Sequence, residues 1–333
     1  MGSLPVGLSA SRGAAILGLS EWSTPLEVWQ KIMEAREPGF NEKNGYSLPE
    51  FKEGAPLRWG LAFEDAVIRL SEEAHGLDIV YREKLFTALN HDYITCHIDG
   101  WYGGSVSSPL HEGKTTSSFI YRKKWGEPGT DKIPRNYQVQ VQHQMLCTGA
   151  DETIVSVLIF PKMVDEWEKE GIQVKNNDAG GWFLHTENNI ISLNDWARVL
   201  SEMGFFHQYP IKRNQELIDL MIEKYKAFWN DHILPGQPPE PQNYDDIKRL
   251  TPEPVGTIIA TEQLERWARE YREIGEELGS KGSLKKRRDQ LKVLILDWMR
   301  KQDSVMDEAS RDKTLLMDSR GHKLISYNGR VFR

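Results

Sequence analysis

Residues 153–160, Thr-Ile-Val-Ser-Val-Leu-Ile-Phe, constrain the fold more than any other stretch of the chain. The run is β-branched and almost continuously apolar, which suits a pleated backbone and leaves neither face for water. A buried strand is expected there. With 333 residues and 39% apolar content, the chain can build one large domain and an appendage.

Shorter strand patterns occupy 85–88, 93–98 and 110–115, with another at 182–185. The second ends at Asp99, followed by the turn-prone Gly100. In the third, Glu112 and Lys114 stand two apart and so share a face. A turn at Gly103-Gly104 is expected to fold 110–115 back beside the strand that ends at Asp99. Two carboxylates would then lie close together with an ammonium between them. Gln140 and Gln142 follow on a helix expected over 136–148, where residues two apart cannot both face inward. Two carboxylates, an ammonium and an amide of this kind can bind Mg²⁺ and hydrolyse a phosphodiester.

Helices are expected over 11–17, stopped by Gly18, and from Pro25, where Thr24 and Glu27 form a capping box. Leu26, Trp29 and Ile32 give the second helix its buried stripe, and Trp22, Trp29 and Trp59 read as core. A third helix, 58–74, carries Glu64 on a rigid element. Others are expected over 193–203 and 215–232. The Pro-rich stretch 234–241 breaks regular structure. Beyond it, helices 261–278 and 284–301 would pair around a break at 279–283, burying Leu264, Trp267, Tyr271, Leu291, Leu294 and Trp298. A β-hairpin over 314–318 and 323–327 ends the chain. The expected division is a domain over 1–233, a connector over 234–260 and a subdomain over 261–333.

Composition excludes several classes. No run of eighteen apolar residues exists, and the first residues lack a basic segment followed by an apolar core. No membrane association or secretion is expected. Cys96 and Cys147 alone cannot build a structural zinc site, an iron–sulfur cluster or a disulfide framework. His97, His111 and His143 are too scattered for a zinc site. A net charge of −7 argues against a nonspecific polycation, yet Lys114, Arg122, Lys123, Lys124, Lys132 and Arg135 face only Glu127 and Asp131 in the same segment. A second basic run spans 285–288.

Taken in order, Ala10-Ser11-Arg12, Ala15-Ile16-Leu17-Gly18, Arg58-Trp59-Gly60 with Glu64, Asp99-Gly100, Glu112-Gly113-Lys114, and Tyr137 with Gln140-Val141-Gln142 resemble the YqaJ-type viral recombinases. These are relatives of phage lambda exonuclease in the PD-(D/E)xK nuclease superfamily. The resemblance covers roughly residues 8–160. It implies an α/β fold with a central mixed sheet flanked by helices, a restriction-endonuclease-like core, here followed by the helical-hairpin and β-hairpin appendage. It also implies Mg²⁺-dependent 5′→3′ digestion of double-stranded DNA from its ends, with Mn²⁺ as an alternative metal, and a single-strand annealing partner. A ring-shaped homo-oligomer and the cytoplasm of a bacterial host carrying the phage or prophage follow from the same likeness.

By position, Asp99 and Glu112 would be metal ligands, with the Gly113 carbonyl as a third and Glu64 completing the shell. Lys114 would orient or help deprotonate the attacking water and offset charge on the phosphate. Gln140, favoured over Gln142 by its place in the motif, would position water or phosphate beside Tyr137. Ser11, Arg12 and Tyr137 would meet the DNA and its terminal 5′-phosphate. The family usually has a small pair such as Ser-Pro before the aspartate, where this chain has His97-Ile98, so that phosphate contact would be lost or taken over by His97. The segment 100–109 is longer than the family's minimum, and the tail has no counterpart in the lambda enzyme. An endonuclease of the same superfamily, or a catalytically silent DNA-binding recombination protein, are the rival readings.

Overall fold

A computed structural model describes residues 7–48, 54–105, 107–177, 181–250, 256–277, 282–302, 314–327 and 332. Its strands are β1 (Leu8–Ser9), β2 (Ile79–Val80), β3 (Leu85–Ala88), β4 (His91–His97), β5 (Gly100–Tyr102), β6 (Leu110–Ser117), β7 (Glu152–Phe160), β8 (Gln173–Asn176), β9 (Trp182–His185), β10 (Ile190–Ser192), β11 (Phe206–Lys212), β12 (Thr257–Ile259), β13 (Thr314–Met317) and β14 (Lys323–Tyr327). The helices are α1 (Ala10–Ile16), α2 (Pro25–Arg36), α3 (Phe40–Lys43), α4 (Ala55–His75), α5 (Ser118–Lys124), α6 (Arg135–Thr148), α7 (Val164–Lys169), α8 (Leu193–Glu202), α9 (Gln215–Phe228), α10 (Tyr244–Leu250), α11 (Glu262–Glu277) and α12 (Gly282–Arg300).

Two compact units share the chain, Met1–Glu21 with Phe51–Ala227, and Trp22–Glu50 with Phe228–Arg333. The boundary therefore differs from the expected break at 233, because α2 joins the second unit. Its attachments span about two hundred residues of sequence. Trp29 Nε1 donates to the His232 carbonyl at 3.0 Å, the Thr24 hydroxyl donates to Asp246 at 2.8 Å, and Arg249 pairs with Glu27 at 2.6 Å. The expected connector holds α10, and it holds β12, which pairs in parallel with β13.

The first unit is α/β, with a five-stranded mixed sheet in the order β11-β7-β6-β5-β2. β6 and β7 are parallel and the other pairs antiparallel. β7, the β-branched apolar run, is buried from Thr153 through Phe160. On α4, Trp59, Phe63, Val67 and Leu70 recur at helical spacing and pack on Leu158 and Phe160 from β7. Trp59 and Trp29 are fully buried, whereas Trp22 is exposed.

A second sheet, β1-β4-β3, corrects one expectation. The strand preceding Asp99 is β4, and it pairs with β1 and β3 rather than with β6. β6 is met instead by β5, with Gly100 opposite His111 and Trp101 opposite Leu110. Asp99 thus sits where the chain passes from one sheet to the other. Gly100 makes that passage feasible, since a Cβ there would stand 2.0 Å from Ile79 Cγ2. Because β5 begins opposite His111, the β6 edge from Glu112 onward has no strand on that side among the described residues.

α6 runs from Pro134 to Gly149, whose φ of 78° ends it in the left-handed region. It is buried along most of its length, and α1 packs against it through Gly13. A Cβ at Gly13 would lie 2.1 Å from the Tyr225 hydroxyl oxygen and 3.2 Å from Val139 Cγ1.

In the second unit, α11 and α12 pack beside β12-β13-β14. Leu264, Tyr271 and Leu291 are buried, while Trp267 and Trp298 are partly covered. Leu294 departs from expectation at 40% exposure, because Leu291, Ile295 and Met299 form the buried stripe instead. The basic run is partly engaged within the hairpin. Arg287 makes a bidentate pair with Glu270 at 2.6 and 2.9 Å, and Arg288 lies over the Tyr271 ring. Residues 279–281 of the expected break lie outside the described residues.

Candidate active site

The unpaired edge of β6, Asp99 and the first turns of α4 enclose a cavity of about 410 Å³. Its walls are Pro56, Leu57, Gly60, Leu61, Glu64 and Val67 from α4, Asp99, Gly113, Lys114 and Thr115 at the strand, and Tyr137 from α6. α4 approaches the strand closely at Gly60, where a Cβ would be 3.6 Å from Thr115 Oγ1. The pleat of β6 turns Glu112 and Lys114 toward α6. Lys114 Nζ donates to Glu112 Oε1 and lies 5.1 Å from the centre of the Tyr137 ring.

Glu112 is fully buried and held by three donors. Besides Lys114, Gln140 Nε2 donates to Oε1 at 2.5 Å and Gln144 Nε2 to Oε2 at 2.6 Å. Three donors of this kind make burial of a carboxylate tolerable. Asp99 accepts from the Gly113 N–H at 2.8 Å. A strand residue presents its N–H and carbonyl on the same edge, so the Gly113 carbonyl shares the edge that faces Asp99.

The electrostatics follow from this crowding. Burial first, then the Glu112 charge, push the Asp99 carboxyl up to about 7 against the pull of Lys114 and the Gly113 N–H. Burial likewise raises Glu64, with Glu83, Asp65 and Glu112 adding to it. For Lys114, burial works downward, but Glu112 and Asp99 outweigh it and hold the ammonium above the ordinary lysine range. His111, on the opposite face of β6, is brought down to about 3 by burial and then by the nearby positive charges of Lys114 and Arg82.

These groups fit a hard divalent cation. Asp99 and Glu112 offer carboxylate oxygens, the Gly113 edge offers a carbonyl, and a cation relieves the Glu112 repulsion that adds to burial in raising Asp99. Among the described residues no three His, Cys, Asp or Glu side chains stand together as a ready cage. A cation held here would therefore complete its shell with water, as Mg²⁺ commonly does.

Residues 5–151 match the family model of the YqaJ-like viral recombinase domain. The chain is also 25% identical over 235 residues to an uncharacterized protein YqaJ of Bacillus subtilis (strain 168), spanning 70% of this chain and 55% of that protein. Among solved structures, an alkaline exonuclease from Laribacter hongkongensis is similar at a TM-score of 0.43 and 14% identity, over 69% of this chain and 89% of that one. A phage-related exonuclease from Haemophilus somnus 129PT is similar at 0.40 and 16%, over 69% and 96%.

Within the matched residues, the structure gathers Glu64, Asp99, Gly113, Lys114 and Tyr137 on one cavity, with Glu112 bonded to Lys114 and Gln140 bonded to Glu112. Three other expected residues stand outside its walls. Ser11 is exposed in the first turn of α1, whose N-cap residue is Ser9. Arg12 is half-buried and lowered by that burial. The His97 side chain is exposed, and only its carbonyl reaches toward the site, accepting from Gln144 at 3.4 Å.

Gln142 turns away, donating to the Lys212 carbonyl and accepting from the Asn214 N–H, both at 2.8 Å. The residue the sequence reading missed is Gln144. Its spacing of four from Gln140 on one helix was the available signal.

Proposed function

We propose that this chain is a divalent-metal-dependent deoxyribonuclease that digests double-stranded DNA from its ends in the 5′→3′ direction during recombination. The observation that carries this reading is the Glu112–Lys114 pair beside Asp99 on the open edge of β6. An acidic pair alone would repel a phosphodiester, whereas a cation at Asp99 and Glu112, together with Lys114, attracts one.

When bound, the cation would supply Lewis-acid polarisation of the phosphate and a more acidic water. The chain supplies the rest. Gln140 and Gln144 fix Glu112 from α6, so one carboxylate keeps its orientation while substrate enters and leaves. Lys114 Nζ, held protonated by its carboxylate neighbours, orients the attacking water and meets charge developing on a phosphate oxygen; it is a donor there, not the base. Tyr137 covers one side of the ammonium and restricts solvent around it. Leu57 and Leu61 line the cavity on the α4 side with apolar surface.

The end preference and polarity draw support from the family, as do a homo-oligomeric ring, an annealing partner and residence in a bacterial host. No helix among the described residues is long and apolar enough to cross a membrane. Ser11, Arg12 and His97 stay in this reading as contacts for the 5′ end, outside the cavity itself.

Digestion of duplexes labelled at either the 5′ or the 3′ end, with 5′-phosphate or 5′-hydroxyl termini, tests polarity and end recognition together. Early release of the 5′ label, faster with a phosphate, is expected. Early release of the 3′ label contradicts the polarity, and cleavage of closed circular DNA moves the chain to the endonuclease reading.

A further inference from the structure

His111 lies outside the chemistry described above, yet its surroundings connect it to Asp99. Its side chain is fully buried on the β6 face opposite Glu112. Nδ1 is met by the Tyr102 hydroxyl at 3.3 Å, and the two rings stand edge to face with centroids 5.7 Å apart. Nε2 is buried and has no hydrogen-bond partner among the described residues. A buried polar atom of that kind is costly if nothing meets it, so the arrangement calls for a partner.

The space over Gly113 lies between His111 and Asp99. A Cβ on Gly113 would stand 3.5 Å from His111 Nε2, 3.7 Å from Asp99 Oδ2 and 3.3 Å from Val67 Cγ1. The imidazole nitrogen and the carboxylate oxygen therefore converge on one small slot, kept open because residue 113 has no side chain. A Tyr102 hydroxyl donating to Nδ1 places the ring proton on Nε2, the nitrogen that borders the slot.

We propose that His111 is a positioning residue for Asp99, its Nε2–H steering the carboxylate through one water held in the slot above Gly113. Asp99 already accepts from the Gly113 N–H, and a second donor would fix its remaining freedom. The consequence is an Asp99 oxygen kept aimed at the cavity for a divalent cation. Tyr102, His111 and Gly113 form one chain of contacts leading from the sheet interior to that oxygen. The inference rests on the nuclease reading only in naming a divalent cation as what Asp99 receives.

Mn²⁺ binding measured by titration calorimetry on the full chain tests it, without relying on activity. His111→Leu is expected to weaken binding about 10–100-fold, the range for losing an outer partner of a metal ligand. His111→Gln, which restores a donor near Nε2, is expected to recover most of that loss. Gly113→Ala fills the slot while leaving the imidazole in place, and the same weakening is expected, so the test stands if His111→Leu folds poorly. If Asp99→Asn abolishes binding but His111→Leu and Gly113→Ala bind as the wild type does, this inference is overturned and the metal site survives. If the wild type binds Mn²⁺ no better than Asp99→Asn, the nuclease reading itself fails and takes the inference with it.

Discussion

Gln144 Nε2 donates to Glu112 Oε2 at 2.6 Å, so the buried carboxylate at the centre of the site is held from α6 by two amides one helical turn apart. Gln144 contributes in spite of a local cost, because its own Oε1 is buried without a partner among the described residues. A residue kept under such conditions is expected to matter more for chemistry than for stability.

Gln144→Leu separates the two. Loss of a charge-assisted bond costs about 1.5–3 kcal/mol, while removal of an orphaned acceptor returns an amount of similar order. The expected outcome is a melting temperature within a few degrees of wild type and a fall of about tenfold or more in DNA hydrolysis. A large drop in stability with unchanged hydrolysis would assign Gln144 to the core.

The Asp99 carboxyl, raised to about 7, sets a pH dependence. A carboxyl whose folded-state pKa lies above the unfolded value stabilises the fold when protonated. That contribution is present at low pH and is lost as pH rises from about 4 toward 7. Metal-free protein should therefore lose stability over that window, and Mn²⁺ or Mg²⁺ should restore it most strongly near and above pH 7, where Asp99 is free to ligate. Thermal melts with and without chelator across pH 5–8 measure this. Equal melting curves at every pH would contradict it.

Gly13→Ala probes the packing of α1 on the body of the unit. Its methyl would meet the Tyr225 hydroxyl at 2.1 Å, and that hydroxyl also meets His143 Nδ1 at 3.2 Å. A loss of about 1–3 kcal/mol is expected in urea denaturation, the usual cost of overpacking. Adding Tyr225→Phe should return part of it, because the clashing oxygen is gone.

Much of the site was legible because it depends on local periodicity. The two-residue spacing of Glu112 and Lys114 fixed their common face once the strand was recognised, and β7 was marked by its own composition. The missed features depend on contacts distant in sequence. β2 and β5 have two and three residues, too few for any period, so the passage of Asp99 between two sheets left no pattern. α2 reads as an ordinary amphipathic helix, and nothing in its spacing records that Trp29 will meet His232. Gln144 was overlooked because Gln140 and Gln142 lie together in one motif, although a spacing of four, unlike one of two, keeps two glutamines on one helix face.

The most direct test compares wild type with Lys114→Ala on linear and closed circular duplex DNA, with Mg²⁺ and with chelator. Wild type should consume linear DNA only when Mg²⁺ is present and leave the circle intact, and Lys114→Ala should lose at least about 100-fold in rate. Equal digestion of linear DNA by the two proteins would show that the Glu112–Lys114 site is not where hydrolysis occurs.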